Sequence, residues 1–315
     1  MPLDTADLVD RLLAGQRRAL ARALSTVEDG DDEALRAIVA ALHPRTGGSH
    51  LIGLTGSPGV GKSTLTSAVT QAMRSRGLTV AVLAVDPSSP FSGGALLGDR
   101  VRMADHAVDD GVYIRSMATR GHLGGLSWAT PHALLVLEAA GFDVVIVETV
   151  GVGQAEVEIA SIADSTVVVQ APGMGDAVQA AKAGIMEIAD IHVVNKADRD
   201  GAQRTLRDIR GMLDMAPPGE WTPPVVATTA ATGEGVDALV EGLLAHRRWS
   251  LESGRHLRHR RAAARVQVRE ILLAQVRRRM AGLDEGEALE AVVAAVAARD
   301  MDPYTAADRL LAEIG

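Results

Sequence analysis

The chain has 315 residues, a formal net charge of −8 and no cysteine. The negative charge provides no basic field for nucleic acid, and the lack of cysteine excludes disulfides, thiolate catalysis and cysteine-based metal sites. No apolar run approaches a membrane span, and the start MPLDTADLVDRLL lacks the layout of a signal peptide, so we expect a cytoplasmic protein that binds neither nucleic acid nor membrane.

Residues 1–45 are rich in leucine, alanine and arginine. Leu8, Leu12, Leu20 and Leu24 recur with the spacing of one helical face, and the sequence HPRTGG follows as a linker. This pattern predicts an N-terminal helical extension.

Residues 46–245 alternate short apolar runs with helical stretches, which is typical of an α/β fold. Several runs do not alternate in polarity, as expected of strands that are covered on both faces. We predict an α/β fold with a doubly wound, mainly parallel sheet and helical extensions at both ends. Its ligands should lie beyond the carboxyl ends of the strands. The runs are LIGLTG, TVAVLAVD, VYIRS, FDVVIVET, STVVVQAP, IHVVNKAD and PVVATTA.

Residues 246–315 contain no further strand pattern and begin with a strongly basic helical segment. Val266, Leu273, Val276 and Met280 fall near one face of that segment. We therefore predict a C-terminal helical arm whose apolar stripe packs on the core or on a second subunit.

The motif GSPGVGKS begins at Gly56, directly after the run LIGLT. Its spacing, between a predicted strand and a predicted helix, is that of a phosphate-binding loop. Backbone N–H groups of such a loop converge on phosphate oxygens, the Lys62 ammonium meets the charge of the β- and γ-phosphates, and the Ser63 hydroxyl is a ligand for Mg²⁺. A glycine-rich turn without a ligand is the alternative.

Two later motifs predict that the base is guanine. In NKAD, the Asp198 carboxylate can accept hydrogen bonds from guanine N1–H and the exocyclic amine, whereas adenine has an acceptor at N1 and lacks that amine. The Lys196 stem can cover the base plane. In TTAATGEG, backbone groups are expected to meet the guanine carbonyl. We therefore expect GTP or GDP to be bound by Asn195, Lys196, Asp198, Thr229, Ala230 and Ala231.

Acidic residues between these motifs are candidates for a magnesium site. Glu148 ends the run FDVVIVE, where many P-loop enzymes have an aspartate that holds Mg²⁺ through water. Asp86 ends TVAVLAVD, and Asp99 lies in SGGALLGDR. Each would alternatively be a helix cap or an Asx-turn residue. The expected metal ligands are Ser63, Asp86, Asp99 and Glu148.

Only three of the 32 basic residues are lysine. Lys62 and Lys196 lie in nucleotide motifs, and a chain that otherwise uses arginine retains lysine where a compact ammonium matters. Lys182 is therefore a candidate for the phosphate charge, with an ordinary surface lysine as the alternative. We expect the catalytic residues to be Lys62, Lys182 and Asp86.

These motifs, together with AVDPSSP, RGHLGGLS, ETVGVGQ and GMGDAVQAAKAGIMEIADI, resemble the MeaB/ArgK/MMAA family of GTPases over nearly the whole chain. The resemblance implies a homodimer, joined by the arm 246–315, that acts as a chaperone for adenosylcobalamin-dependent methylmalonyl-CoA mutase. It also implies that residues 170–182 form a switch whose lysine responds to the partner. By position, it assigns phosphate binding to Gly56, Ser57, Pro58, Gly59, Val60, Gly61, Lys62, Ser63 and Thr64.

Two other functions stay open on the sequence. Nickel-delivery GTPases are related, but they need cysteine or histidine ligands, and this chain has no cysteine and scattered histidines. His256 and His259 lie among arginines and are expected to be solvated. The other alternative is a GTP-dependent assembly module without a cofactor client.

Overall fold

The computed structural model describes residues 4–29, 32–86, 108–118, 129–149, 155–173, 187–217, 219–284 and 287–314. The chain divides into two compact units, residues 1–260 and residues 261–315. The three-part division 1–45, 46–245 and 246–315 stays a prediction.

The first unit contains a seven-stranded parallel sheet in the order β3-β2-β4-β1-β5-β6-β7. Each strand coincides with one of the predicted apolar runs, so the doubly wound parallel fold is confirmed. Because all the strands are parallel, their carboxyl ends meet at one edge, which we call the carboxyl edge. The strands are β1 (His50–Thr55), β2 (Val80–Asp86), β3 (Val112–Ala118), β4 (Val144–Glu148), β5 (Ser165–Gln170), β6 (Ile191–Asn195) and β7 (Val225–Thr228).

Helices cover both faces of this sheet, as the unbroken apolar runs require. In β5, Val167 and Val169 belong to the core cluster shared with α4 and α8, whereas Val168 packs with residues of α7 on the opposite face. The helices of the first unit are α1 (Thr5–Leu13), α2 (Arg17–Asp29), α3 (Asp32–Leu42), α4 (Lys62–Ser75), α5 (Thr130–Ala139), α6 (Ala155–Ile162), α7 (Ala202–Met215), α8 (Val236–Glu252) and the start of α9 (Arg255–Asp284).

The N-terminal helices α1–α3 share a hydrophobic core with α5 and the sheet. Leu8, Leu12, Leu20 and Leu24 are all buried, so the predicted apolar face is the face that packs.

The second unit comprises the rest of α9, α10 (Glu287–Ala297) and α11 (Pro303–Ile314). Helices α10 and α11 pack together and bury Val292 and Ala306. Among the described residues, no helix is long and apolar enough to cross a membrane.

Candidate nucleotide site

The phosphate-loop motif connects β1 to α4 at the carboxyl edge. Gly56 has φ +140°, and a Cβ there would lie 2.1 Å from the Val169 carbonyl oxygen. Gly61 has φ +94°, and a Cβ there would lie 2.6 Å from Asn195 Nδ2. Glycine is therefore required at both positions, by conformation and by close approach. This geometry matches the loop predicted from the spacing.

Lys62 begins α4 and is 7% exposed. Its Nζ donates to the carbonyl oxygens of Gly56 at 2.6 Å and Ser57 at 3.2 Å. The ammonium is thus held at the loop, where it would counter the charge of a bound phosphate.

Glu148 lies at the carboxyl end of β4 and is 5% exposed. Its Oε1 accepts a hydrogen bond from Ser63 Oγ at 2.6 Å, and its Oε2 accepts one from Thr66 Oγ1 at 3.0 Å. The carboxylate is therefore joined to the first two turns of α4, beside the phosphate loop. Hydroxyl and carboxylate oxygens are the donors that Mg²⁺ prefers.

The other predicted acidic residues are only partly covered by the structure. Asp86 ends β2, two residues beyond Ala84, which pairs with Glu148 in the sheet. Its backbone thus lies at the same edge as Glu148. Asp99 and Lys182 lie outside the described residues.

Asn195 connects the phosphate loop to the two base motifs. Its Nδ2 donates to the Val60 carbonyl oxygen at 2.9 Å, and its Oδ1 accepts from Thr228 Oγ1 and from the Ala230 N–H, both at 3.1 Å. One buried amide thereby fixes three loops relative to one another. That Asn195 also binds the nucleotide stays a prediction.

Lys196 and Asp198 follow Asn195 at the surface. Lys196 adopts φ +57°, and its Nζ donates to the Gly59 carbonyl oxygen at 2.6 Å, so it forms a second bridge to the phosphate loop. Asp198 is exposed, which leaves its carboxylate accessible to a base.

The predicted guanine-carbonyl loop is already partly hydrogen bonded within the protein. The Thr229 N–H donates to Glu234 O at 2.9 Å, and the Ala230 N–H donates to Asn195. Ala231 is exposed. The turn that follows this loop requires glycine at position 235. Its φ is +76°, and a Cβ there would lie 2.0 Å from the Ala227 carbonyl oxygen.

Thr66 was not among the residues predicted from the sequence. Ser63 and Thr66 are three residues apart on α4 and thus share a helix face, which was the available signal. Without the strand pairing there was no way to know that this face meets Glu148.

A second polar cluster lies at the opposite, amino edge of the sheet. Asp164, just before β5, accepts hydrogen bonds from Arg260 Nε at 3.0 Å and Nη2 at 2.9 Å, and His256 Nδ1 lies 3.3 Å from its Oδ1. Arg260 Nη1 also donates to both Glu138 oxygens at 3.2 and 3.1 Å. The prediction that His256 is solvated is therefore wrong: its side chain is 17% exposed and faces a carboxylate.

Burial alone would raise the pKa of Asp164, but the hydrogen bonds from His256 and Arg260 outweigh it and hold that pKa below its usual value. The acid is therefore ionised and paired in the folded protein.

Next to it, Ser165 Oγ lies 2.7 Å from His246 Nδ1, and His246 Nε2 lies 3.3 Å from Asp190 Oδ1. The order Ser–His–Asp resembles a hydrolytic triad. However, Ser165 and His246 are 0% exposed, and His50 Nε2 also contacts the serine hydroxyl at 2.8 Å. A nucleophile must meet its substrate, so this network is structural.

Comparison with known proteins agrees with the geometry. Residues 20–284 match the family model described as methylmalonyl Co-A mutase-associated GTPase MeaB. A predicted GTPase of Pyrococcus horikoshii is 47% identical over 99% of this chain and 98% of its own length. The GTPase ArgK of Escherichia coli is 40% identical over 79% of this chain and 78% of its own length. A crystal structure described as LAO/AO transport system kinase has a TM-score of 0.72 and 30% identity, covering 98% of this chain and 97% of that one. The resemblance predicted from the motifs is confirmed, and the chain belongs to the MeaB family of P-loop GTPases.

Proposed function

We propose that this GTPase is a chaperone for adenosylcobalamin-dependent methylmalonyl-CoA mutase, which gates cofactor loading and protects the mutase. The observation that supports the nucleotide site best is the Asn195 amide, which joins the phosphate loop to the base loops while Asp198 stays exposed beside it. The proposed client rests on the family to which the chain belongs.

In this proposal, residues 56–64 bind the phosphates through backbone N–H groups and Lys62. Ser63 and Glu148 would hold Mg²⁺, and Asp86 and Asp99 are proposed as further ligands. The donor chemistry fits, because a hydroxyl and a carboxylate already meet at 2.6 Å beside the loop. When bound, Mg²⁺ would neutralise charge that develops on the phosphates.

Guanine would be recognised at the exposed Asp198 carboxylate. The base carbonyl would meet the loop that contains Ala231, because the N–H groups of Thr229 and Ala230 already have acceptors in the protein. Hydrolysis would be an in-line attack of water on the γ-phosphate, with Lys62 and the loop amides stabilising the charge.

The nucleotide proposal is tested with Asp198→Asn. We expect GTP affinity to fall by roughly 1–3 kcal/mol, because guanine donors lose their carboxylate, and xanthine nucleotides to bind better relative to guanine. Fluorescent-nucleotide titration measures both. Asp200→Asn is the matched control, since this exposed acid lies two residues further along the same loop. Equal ATP and GTP binding by the wild type would contradict the proposal.

The client proposal is tested by affinity capture of the protein loaded with a non-hydrolysable GTP analogue or with GDP. We expect the mutase to be retained in a nucleotide-dependent manner and to stimulate hydrolysis. If stimulation by the partner depends on Lys182, Lys182→Ala should keep basal hydrolysis but lose that stimulation. Retention of a nickel-enzyme precursor instead would favour the metallochaperone alternative.

A homodimer is part of the proposal, with the C-terminal arm as its interface. The second unit exposes Val268, Leu272 and Val276, spaced four residues apart on α9, at 65%, 58% and 41%. Such a stripe favours a protein partner. Light scattering should give twice the chain mass of 32.9 kDa. Leu272→Arg should lower the measured mass to that of a single chain.

A further inference from the structure

The Glu148 carboxylate accepts hydrogen bonds from two hydroxyls of one helix. Ser63 donates to Oε1 and Thr66 donates to Oε2, and the two donors lie three residues apart on α4. Thr66 and Glu148 are 0% and 5% exposed. The Thr66 contact is thus a charge-assisted hydrogen bond shielded from water, and such bonds are stronger than those between neutral groups.

Thr66 does not use its hydroxyl in the ordinary helical way. Ser and Thr hydroxyls in helices often bond the carbonyl four residues back, as Thr26 does to Arg22 O at 3.0 Å and Ser75 does to Gln71 O at 3.0 Å. Thr66 instead reaches across to β4. Thr70 lies one turn further along α4 and is 1% exposed, and its hydroxyl has no hydrogen-bond partner within the part of the chain that the structure describes. A threonine can therefore be buried on this helix without a hydrogen bond to its hydroxyl, so burial alone does not explain the contact between Thr66 and Glu148.

The length of the glutamate side chain explains why a second hydrogen bond to its carboxylate is needed. Many P-loop enzymes have aspartate at this strand end, and glutamate has one more rotatable bond. Holding a glutamate side chain in one orientation therefore costs rotamer entropy. A second anchor on Oε2 keeps Oε1 directed at Ser63, which is the hydroxyl proposed to ligate Mg²⁺.

We propose that Thr66 is a positioning residue for the magnesium site. Its hydroxyl holds the Glu148 carboxylate in the orientation that Mg²⁺ needs before nucleotide arrives. This inference rests on the proposed role of Ser63 and Glu148 and adds a residue outside the recognised motifs. Partners of this kind typically change metal affinity by about 10–100-fold when they are removed.

The test is the affinity for fluorescent GDP, measured in excess Mg²⁺ and in EDTA. Thr66→Val keeps the shape of the side chain and removes the donor. We expect it to need about tenfold more Mg²⁺ for the same tightening of GDP binding, with affinity in EDTA unchanged within about twofold. Thr66→Ser should behave as the wild type. Thr70→Val is the matched control and should also behave as the wild type, since no described residue bonds the Thr70 hydroxyl.

A coupling measurement separates positioning from folding. In a Glu148→Asp background the shorter carboxylate loses its reach to Thr66, so Thr66→Val should then have little further effect on the Mg²⁺ requirement. If Thr66→Val does not fold, Thr66→Ala takes its place with the same expected loss. A Thr66 variant with the wild-type Mg²⁺ requirement would overturn this proposal. If the GDP affinity of the wild type did not depend on Mg²⁺, the proposed metal site itself would be overturned.

Discussion

Replacing Arg260 by methionine should destabilise the first unit more than any exposed charge change on α9. The guanidinium donates two hydrogen bonds to Asp164 and two to Glu138, and Nη2 also lies 3.4 Å from Ser49 O. The two carboxylate side chains are 7% and 6% exposed, so each would lose a partner while remaining buried.

The expected magnitude follows from this burial. Removing one member of a buried ion pair costs about 3–5 kcal/mol because an unpaired charge remains. Arg260 itself is 25% exposed, and solvent will partly screen the orphaned acids. Allowing for that screening, we expect a loss of about 2–4 kcal/mol in the free energy of unfolding.

Urea unfolding followed by circular dichroism measures the loss, and Arg258→Met is the control. Arg258 lies on the same helix and pairs with Glu220, but these side chains are 58% and 71% exposed, so its loss should stay below about 1 kcal/mol. Equal losses in the two variants would refute the reasoning that the buried cluster at the amino edge stabilises the first unit through Arg260.

The same variant should change the dependence of stability on pH. Because hydrogen bonds hold the folded pKa of Asp164 below its ordinary value of about 3.9, this acid contributes stability above that pH and loses it as the pH falls. Without Arg260 the folded pKa rises, so less of this contribution remains at any pH. The difference between wild type and variant should therefore shrink towards pH 3.

Two other predictions concern buried positions. Among the described residues neither ring nitrogen of His192 has a hydrogen-bond partner, and burial lowers the pKa of His192 to about 4. The unfolded chain therefore binds a proton at this residue below about pH 6.5 that the folded chain does not, and this residue should lower stability by about 1.4 kcal/mol per pH unit from 6.5 to 4. Burial lowers the pKa of His50 as well, to about 3, so His192→Leu should reduce the total slope by about 1.4 kcal/mol per pH unit without abolishing it. Urea titrations at pH 7 and pH 5 measure this, and an unchanged slope would contradict the assignment. Gly56→Ala should abolish GTP binding because its Cβ meets the Val169 carbonyl, whereas Gly59→Ala, with open space around its Cβ, should lose only about 1–2 kcal/mol of stability in thermal melts.

The sheet could be predicted because each strand carries its own signal. Runs such as VVIV and VVV are apolar on both faces, and a glycine or acidic turn follows each of them. The order of the strands has no such local signal. That β4 lies between β1 and β2, and so brings Glu148 beside α4, is a property of the packed sheet.

The same distinction explains which contacts of the site were predictable. Gly56–Ser63 and Asn195–Asp198 are contiguous motifs, so spacing alone identifies them. Thr66 and Arg260 act through partners 82 and 96 residues distant in sequence. Helical spacing shows which face of a helix they occupy but not what that face meets.

The amino-edge cluster and the nucleotide site are joined by two strands. Asp164 precedes β5, which carries Val169 against Gly56, and Asp190 precedes β6, which ends at Asn195. A five-residue strand spans only about 16 Å and is held by neighbours on both sides, so it acts as a rigid spacer. Since Arg260 anchors the start of β5 and makes no contact with the phosphate loop, Arg260→Met should lower stability while leaving GDP affinity within about twofold at temperatures where the variant is folded. A parallel loss of affinity in fully folded protein would mean that the strands transmit strain between the two edges.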